Sequence, residues 1–221
     1  MGALAPLLLG DGRLPVGAYT YSAGLEPAIV AGLTRDRIPA LLRARLHTTA
    51  ITEAAAAVLA LRAAGRDPVD YGPVQHALAA RIPAAPQRET SATLDRGVHR
   101  LVRRLAPDHP AVTALAVLRP RALRPVTLGA LGAVLKVSEE ELAHAVVYDE
   151  LQTVASAALK LLPGDPLDSV AWILAAEPDA ASAVASALAV RTPDGLPART
   201  AALTEQWALE HARRERRLLL A

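Results

Sequence analysis

Residues that could do chemistry are few in this chain and badly spaced for it. The six histidines are His47, His76, His99, His109, His144 and His211, and no two lie three or four apart. One helical turn therefore cannot offer an imidazole pair to a metal, and a metal site would have to gather ligands from several elements. Cysteine is absent, which excludes disulfides, thiolate metal sites and cysteine nucleophiles. Ser22 has Gly24 two residues after it but Thr20 two before it, so the G-x-S-x-G turn of a serine hydrolase is missing. Lys136 follows Gly132 at the wrong spacing for a G-x-x-x-x-G-K-[ST] phosphate loop. Glu139, Glu140 and Glu141 could attract a cation, but an acidic first helical turn facing the helix dipole accounts for them. These residues point away from an enzyme. No catalytic residue, cofactor or metal ligand is assigned.

Two segments at opposite ends of the chain stand out instead. Tyr19 and Tyr21 are two of only four tyrosines, and they sit with Thr20 and Ser22 between Gly17 and Gly24. Such a stretch is either a turn packed on the core, its hydroxyls satisfied locally, or an exposed recognition loop held by a rigid scaffold. At the other end Arg213, Arg214, Arg216 and Arg217 precede Leu218, Leu219 and Leu220. Three leucines near a terminus are costly to leave in water. The tail must fold back on its own domain or enter a partner. Leu203, Trp207, His211, Arg214 and Leu218 fall near one helical face.

The elements that would position these segments are helices. The chain has 221 residues, 52% of them hydrophobic and only 3% aromatic, with no Phe. A core of Leu, Val, Ile and Ala follows, and an Ala-, Leu- and Arg-rich composition favours helix. Apolar residues recur at helical spacing in Ile38, Leu41, Leu42, Leu46 and Ile51, and again in Leu94, Val98, Leu101, Val102 and Leu105. The expected helices run from Ser22 to Val30, ending at Gly32, and from Thr34 or Asp36 to Gly65. A segment opened by Asp67-Pro68 follows, then Gln87 to Leu105 and Thr127 to Leu135. The region 107–125 reads as loop, with Val112–Leu118 a short helix or a strand. Ser138 and Glu141 form a capping box for a helix reaching Leu162. Asp165-Pro166 opens another, to Ala176. The last two cover Asp179 to Val190 and Arg199 to Leu219.

No βαβ alternation and no repeat is present. The fold class expected is all-α: a single-domain helical bundle of about nine or ten helices over 1–221, with an extended N-terminal segment (1–21) and a C-terminal helix and tail (198–221). The longest apolar run, Ala54 to Leu61, is far short of a membrane span, and no leader peptide is expected. Net charge is +2, too mild to imply nucleic acid. A cytoplasmic protein without membrane or nucleic-acid partners is the expectation. The Arg100, Arg103, Arg104 cluster and the C-terminal arginines keep a nucleic-acid binder as an alternative. Ahead of it stands another alternative, a helical regulator of a GTPase in some other pathway.

Leu14-Pro15-Val16-Gly17-Ala18-Tyr19-Thr20-Tyr21-Ser22-Ala23-Gly24-Leu25-Glu26 resembles the N-terminal motif of the UreF family of urease accessory proteins, L-P-x-G followed by S-x-G-L-E. Arg88-Glu89-x-Ser91 with Gly97 and Leu101 is similar to that family's mid-chain segment. Val126 to Glu141 resembles its V-x-x-G-x-x-x-A-x-x-L-x-x-S segment, and Arg217-Leu218-Leu219-Leu220-Ala221 its tail. The chain departs from the pattern at Tyr19 and Tyr21, where Phe or His is common, and at Arg124-Pro125, where a His is often found. It also has Lys136 where Gly is usual and Ala221 where Ser is. The resemblance implies an all-α, homodimeric, non-catalytic scaffold. With UreD (also called UreH) it would recruit the GTPase UreG to apo-urease for nickel insertion. The residues the resemblance implies for partner binding are Gly17, Tyr19, Tyr21, Ser22, Gly24, Glu26, Arg217, Leu218, Leu219 and Leu220. In this reading Arg217 braces the loop around Tyr19.

Overall fold

The computed structural model describes residues 4–12, 14, 16, 21–199, 201–214 and 218–219. Among them there are helices and no β-strand. The helices are α1 (Leu4–Leu9), α2 (Leu25–Val30), α3 (Ile38–Arg45), α4 (Ile51–Ala64), α5 (Gly72–Ala80), α6 (Ala85–Leu105), α7 (Pro110–Val117), α8 (Arg124–Leu135), α9 (Glu139–Leu161), α10 (Leu167–Ala175), α11 (Glu177–Ala189) and α12 (Ala202–Ala212). A π-helical turn, Leu46–Ala50, joins α3 and α4 into one rod. The all-α expectation stands.

The core is built around α4. Its Ala54–Ala60 stretch is buried on every side, because small and branched aliphatic side chains let several helices approach at once. It packs against α8, α9, α11 and α5. Gly129 of α8 is where the closest approach occurs: a Cβ there would lie 2.5 Å from Ala60 Cβ and 2.6 Å from the Ala57 carbonyl oxygen. Gly97 of α6 plays the same part for the N-terminal segment, since a Cβ there would collide with the Val16 backbone.

Helix ends follow local chemistry. At the end of α2 the Leu33 amide donates to Ala28 O at 2.9 Å and the Gly32 amide to Ile29 O at 2.9 Å, with Gly32 at φ 98°. This is the paired bonding of a Schellman stop. The same pattern ends α8, where Val137 N reaches Gly132 O and Lys136 N reaches Ala133 O. There the left-handed position is Lys136, at φ 56°. The box at α9 is complete: Glu141 N donates to Ser138 Oγ at 3.1 Å and Ser138 N to Glu141 Oε2 at 2.7 Å.

Three expectations are corrected. The N-terminal segment is not extended throughout, since Leu4–Leu9 forms α1; residues 110–117 do form the short helix that is one reading of Val112–Leu118, with Pro110 at a first-turn position where its missing N–H costs nothing. α2 starts at Leu25 and not Ser22, because Ala23 and Gly24 both adopt positive φ, 52° and 83°, and cannot continue a right-handed helix. The final helix stops at Ala212, and Leu218 and Leu219 turn back toward α2.

Candidate functional site at the joined termini

The turn before α2 is anchored from inside. Ala23 and Gly24 expose their carbonyls by taking left-handed conformations, which cost an alanine about 1–2 kcal/mol. Arg45 Nη1 donates to Ala23 O at 2.8 Å. The same guanidinium holds Glu150 Oε2 through Nε at 3.1 Å and Nη2 at 2.5 Å. Arg45 is 5% and Glu150 3% exposed, so the pair is buried between the α3 end and α9. Gly24 is also a contact point, since a Cβ there would sit 3.3 Å from Thr204 Cγ2 of α12.

Beside this anchor lies a polar cavity of about 60 Å³, lined among others by Tyr21, Arg45, Thr49, Glu53, Ser91 and Arg124. It is roomy enough for a few water molecules. Arg124 pairs with Asp149 at 2.7 Å, and its backbone N–H donates to Ser91 Oγ at 3.0 Å. Burial pushes the Glu53 carboxyl up to about 8, and the nearby Glu150 charge adds to the rise; Arg124 and Arg45 pull the other way. The surface Glu53 retains faces this cavity. Burial also raises the Tyr21 hydroxyl above its ordinary range, which keeps it protonated and poor as a base. Among the described residues no group of three His, Asp or Glu converges as a metal-binding set.

The two ends of the chain meet at Glu26. Its carboxylate is 8% exposed. It accepts the Leu218 amide at 2.9 and 3.2 Å and the Leu219 amide at 2.7 Å. Across the same dipeptide, His211 Nε2–H donates to Leu219 O at 3.1 Å, a carbonyl being able only to accept. Leu219 packs against the core and Leu218 is 80% exposed. α12 reaches this position by packing on α2 and α6 through Thr204, Ala208 and His211.

Of the residues expected at a partner surface, the structure brings together Glu26, Leu218 and Leu219, with Tyr21, Ser22 and Gly24 on the adjoining turn. Gly17, Tyr19, Arg217 and Leu220 lie outside the described residues. The face that carries Leu203, Trp207 and His211 is divided: His211 is buried beside Thr204 and Ala208, while Leu203 is 63% exposed. Sequence reasoning missed Arg45, Glu53, Arg124 and Glu150. A signal existed for Glu53 alone, a charge inside the otherwise apolar stretch from Ile51 to Leu61.

Comparison with known proteins bears on this arrangement. The UreF family model matches residues 34–177. Urease accessory protein UreF of Mycobacterium sp. strain JLS is 36% identical over 184 residues, 81% of this chain and 83% of that protein. Its namesake from Mycobacterium marinum strain M is 33% identical over 225 aligned positions, 99% of each chain, and that from Mycobacterium tuberculosis strain H37Rv 34% identical over 171. The family model covers more than half of the chain and the relatives, more than 30% identical, align over 76–99% of it: the protein belongs to the UreF family of urease accessory proteins.

Proposed function

We propose that this protein is a non-catalytic, cytoplasmic scaffold for urease maturation. Together with UreD (UreH) it recruits the GTPase UreG to apo-urease, where nickel is the cargo. The surface that does this lies at the joined termini: Tyr21, Leu218 and Leu219 stand on it, and the buried Ser22, Gly24 and Glu26 shape it from beneath; Gly17, Tyr19, Arg217 and Leu220, outside the described residues, are assigned the same partner-binding role. The observation that carries the reading is the Glu26 carboxylate holding both tail amides. A single rigid base thereby presents segments 192 residues apart in sequence, and Leu218 is left bare as an apolar anchor for a partner.

The scaffold acts as a homodimer. In support of this, α10 buries none of its residues, and Leu167, Val170 and Leu174 share one outward face at helical spacing. A self-matching apolar stripe of this kind suits an isologous contact.

The test is co-purification of the full chain with UreD and UreG, with and without urease. The expected result is that Arg217→Ala retains UreD and loses UreG, while deletion of Leu218–Ala221 weakens UreD itself. Parent-like capture of both partners and parent-like urease activation by both variants would show the termini to be ordinary packing.

A further inference from the structure

Four arginines of this fold are held by carboxylates, Arg35 by Asp168, Arg45 by Glu150, Arg62 by Glu139 and Arg124 by Asp149, and others, such as Arg81, Arg88 and Arg119, by backbone carbonyls. The outer side of α6 is different. Arg96, Arg100, Arg103 and Arg104 are all exposed and lie on the side of the helix opposite the buried Leu94, Val98 and Val102. None of the four has a hydrogen bond or ion pair among the described residues. Arg103 and Arg104 occupy the last turn, where the helix dipole favours a cation, but the dipole's reach ends there and does not account for Arg96 and Arg100. A second element contributes. Arg121, exposed in the segment before α8, acts with Arg103 on His99: burial first, and then these two charges, hold that imidazole below its ordinary value.

We propose that this face of α6 is a docking site for an acidic protein surface. The cluster from Arg96 to Arg104 spans about 12 Å of helix, with Glu89 about 10 Å before it on the same helix and Asp108 four residues after it, past the end of α6. A nucleic-acid backbone running past would meet both carboxylates, whereas a compact acidic patch fits between them. α6 carries no Phe, Tyr or Trp on which a base could stack. Guanidinium forks match carboxylates bidentately, and exposed opposite charges of this density steer association and fix the register of a partner.

The probe is poly-L-glutamate of fixed length, with a short DNA duplex as the rival polyanion, titrated against the full chain. The parent binds poly-L-glutamate more tightly than the duplex, and added salt weakens the binding. Arg96→Glu with Arg100→Glu lowers poly-L-glutamate affinity at least about tenfold, with unchanged circular dichroism and melting temperature. The control pair Arg37→Glu with Arg43→Glu changes net charge equally at exposed positions and leaves affinity within about twofold. Unchanged affinity in the α6 pair overturns the proposal, as does an equal loss in the control pair. Tighter binding of the duplex overturns it in favour of nucleic acid. No urease component enters the assay, so this inference and the proposed function fail separately.

Discussion

The carboxylate of Glu26 lies 2.7 Å from the Leu219 amide nitrogen and within 3.2 Å of that of Leu218, so one side chain near the start of the chain fixes the backbone near its end. Hydrogen bonds to a charged acceptor are worth about 1.5–3 kcal/mol each when buried. Glu26→Gln removes the charge and, even with its oxygen kept at the Oε2 position, sets an NH₂ against the Leu218 N–H. The tail is then expected to detach while the body stays folded. Hydrogen exchange at Leu218 and Leu219 would rise to near-unprotected rates, the melting temperature would change little, and capture of UreD would fall about tenfold or more. Retained protection at these amides would show that Leu219 packing alone holds the tail.

Much of the fold was legible because helix ends are written locally. Ser138 and Glu141, Gly32, and the prolines at 83, 86, 110 and 125 act within a turn of where they stand. What was not legible is set by partners far along the chain. The π turn at Leu46–Ala50 and the stop at Ala212 have no breaker residue of their own. Arg45 meets Glu150 across 105 positions, and neither spacing nor composition connects them. At the site, the motif containing Glu26 was visible, but its bond to the tail belongs to the tertiary fold.

The outward stripe of α10 gives the proposed dimer a direct test. Leu167 is 72%, Val170 55% and Leu174 63% exposed, so acidic residues there cost the monomer little. Val170→Glu with Leu174→Glu is expected to convert a dimer at micromolar concentration into a monomer by light scattering, with circular dichroism unchanged. A monomeric parent, or a variant that stays dimeric, removes α10 from any such interface.

Lys136 carries a backbone conformation that suits glycine. Its φ of 56° places it in the left-handed region at the Schellman stop of α8, and its backbone bonds there do not require a side chain. Lys136→Gly should therefore stabilise the folded chain by about 1 kcal/mol, reduced somewhat by glycine's greater freedom when unfolded. Denaturant titration reads this as a higher midpoint with an unchanged slope. A lower midpoint would mean that the lysine side chain makes a compensating contact.

Two buried carboxyls set a direction for pH dependence. Glu53 titrates near 8 in the fold and Asp95, fully buried on α6, near 6; burial is the leading cause in both. Both folded values lie above the ordinary carboxylate range, so the unfolded chain releases these protons first as pH rises. Stability that depends on their neutral forms is complete below the ordinary range. The Asp95 part is lost as pH rises through about 6 and the Glu53 part through about 8. The chain is expected to be more stable at mildly acidic pH than at alkaline pH. Glu53→Gln should remove the upper of the two losses, and an unchanged slope of stability against pH in that variant would place the titration elsewhere.

The Arg45–Glu150 pair offers a sharper test, because two effects of removing it can be separated. Arg45→Ala leaves the Glu150 carboxylate buried without its partner and frees the Ala23 carbonyl. Breaking a buried pair from one side costs about 3–5 kcal/mol, which threatens the fold itself. Arg45→Met with Glu150→Leu removes both charges at similar volume and is expected to fall within about 1–2 kcal/mol of the parent. In that double variant the core survives but nothing grips Ala23 O, so the left-handed pair Ala23–Gly24 loses its inner support. Stability near that of the parent combined with reduced UreD and UreG capture would assign the guanidinium to holding the turn before α2. Parent-like capture by the double variant would mean that Gly24 against Thr204 is enough to hold it, and that Arg45 serves the core alone.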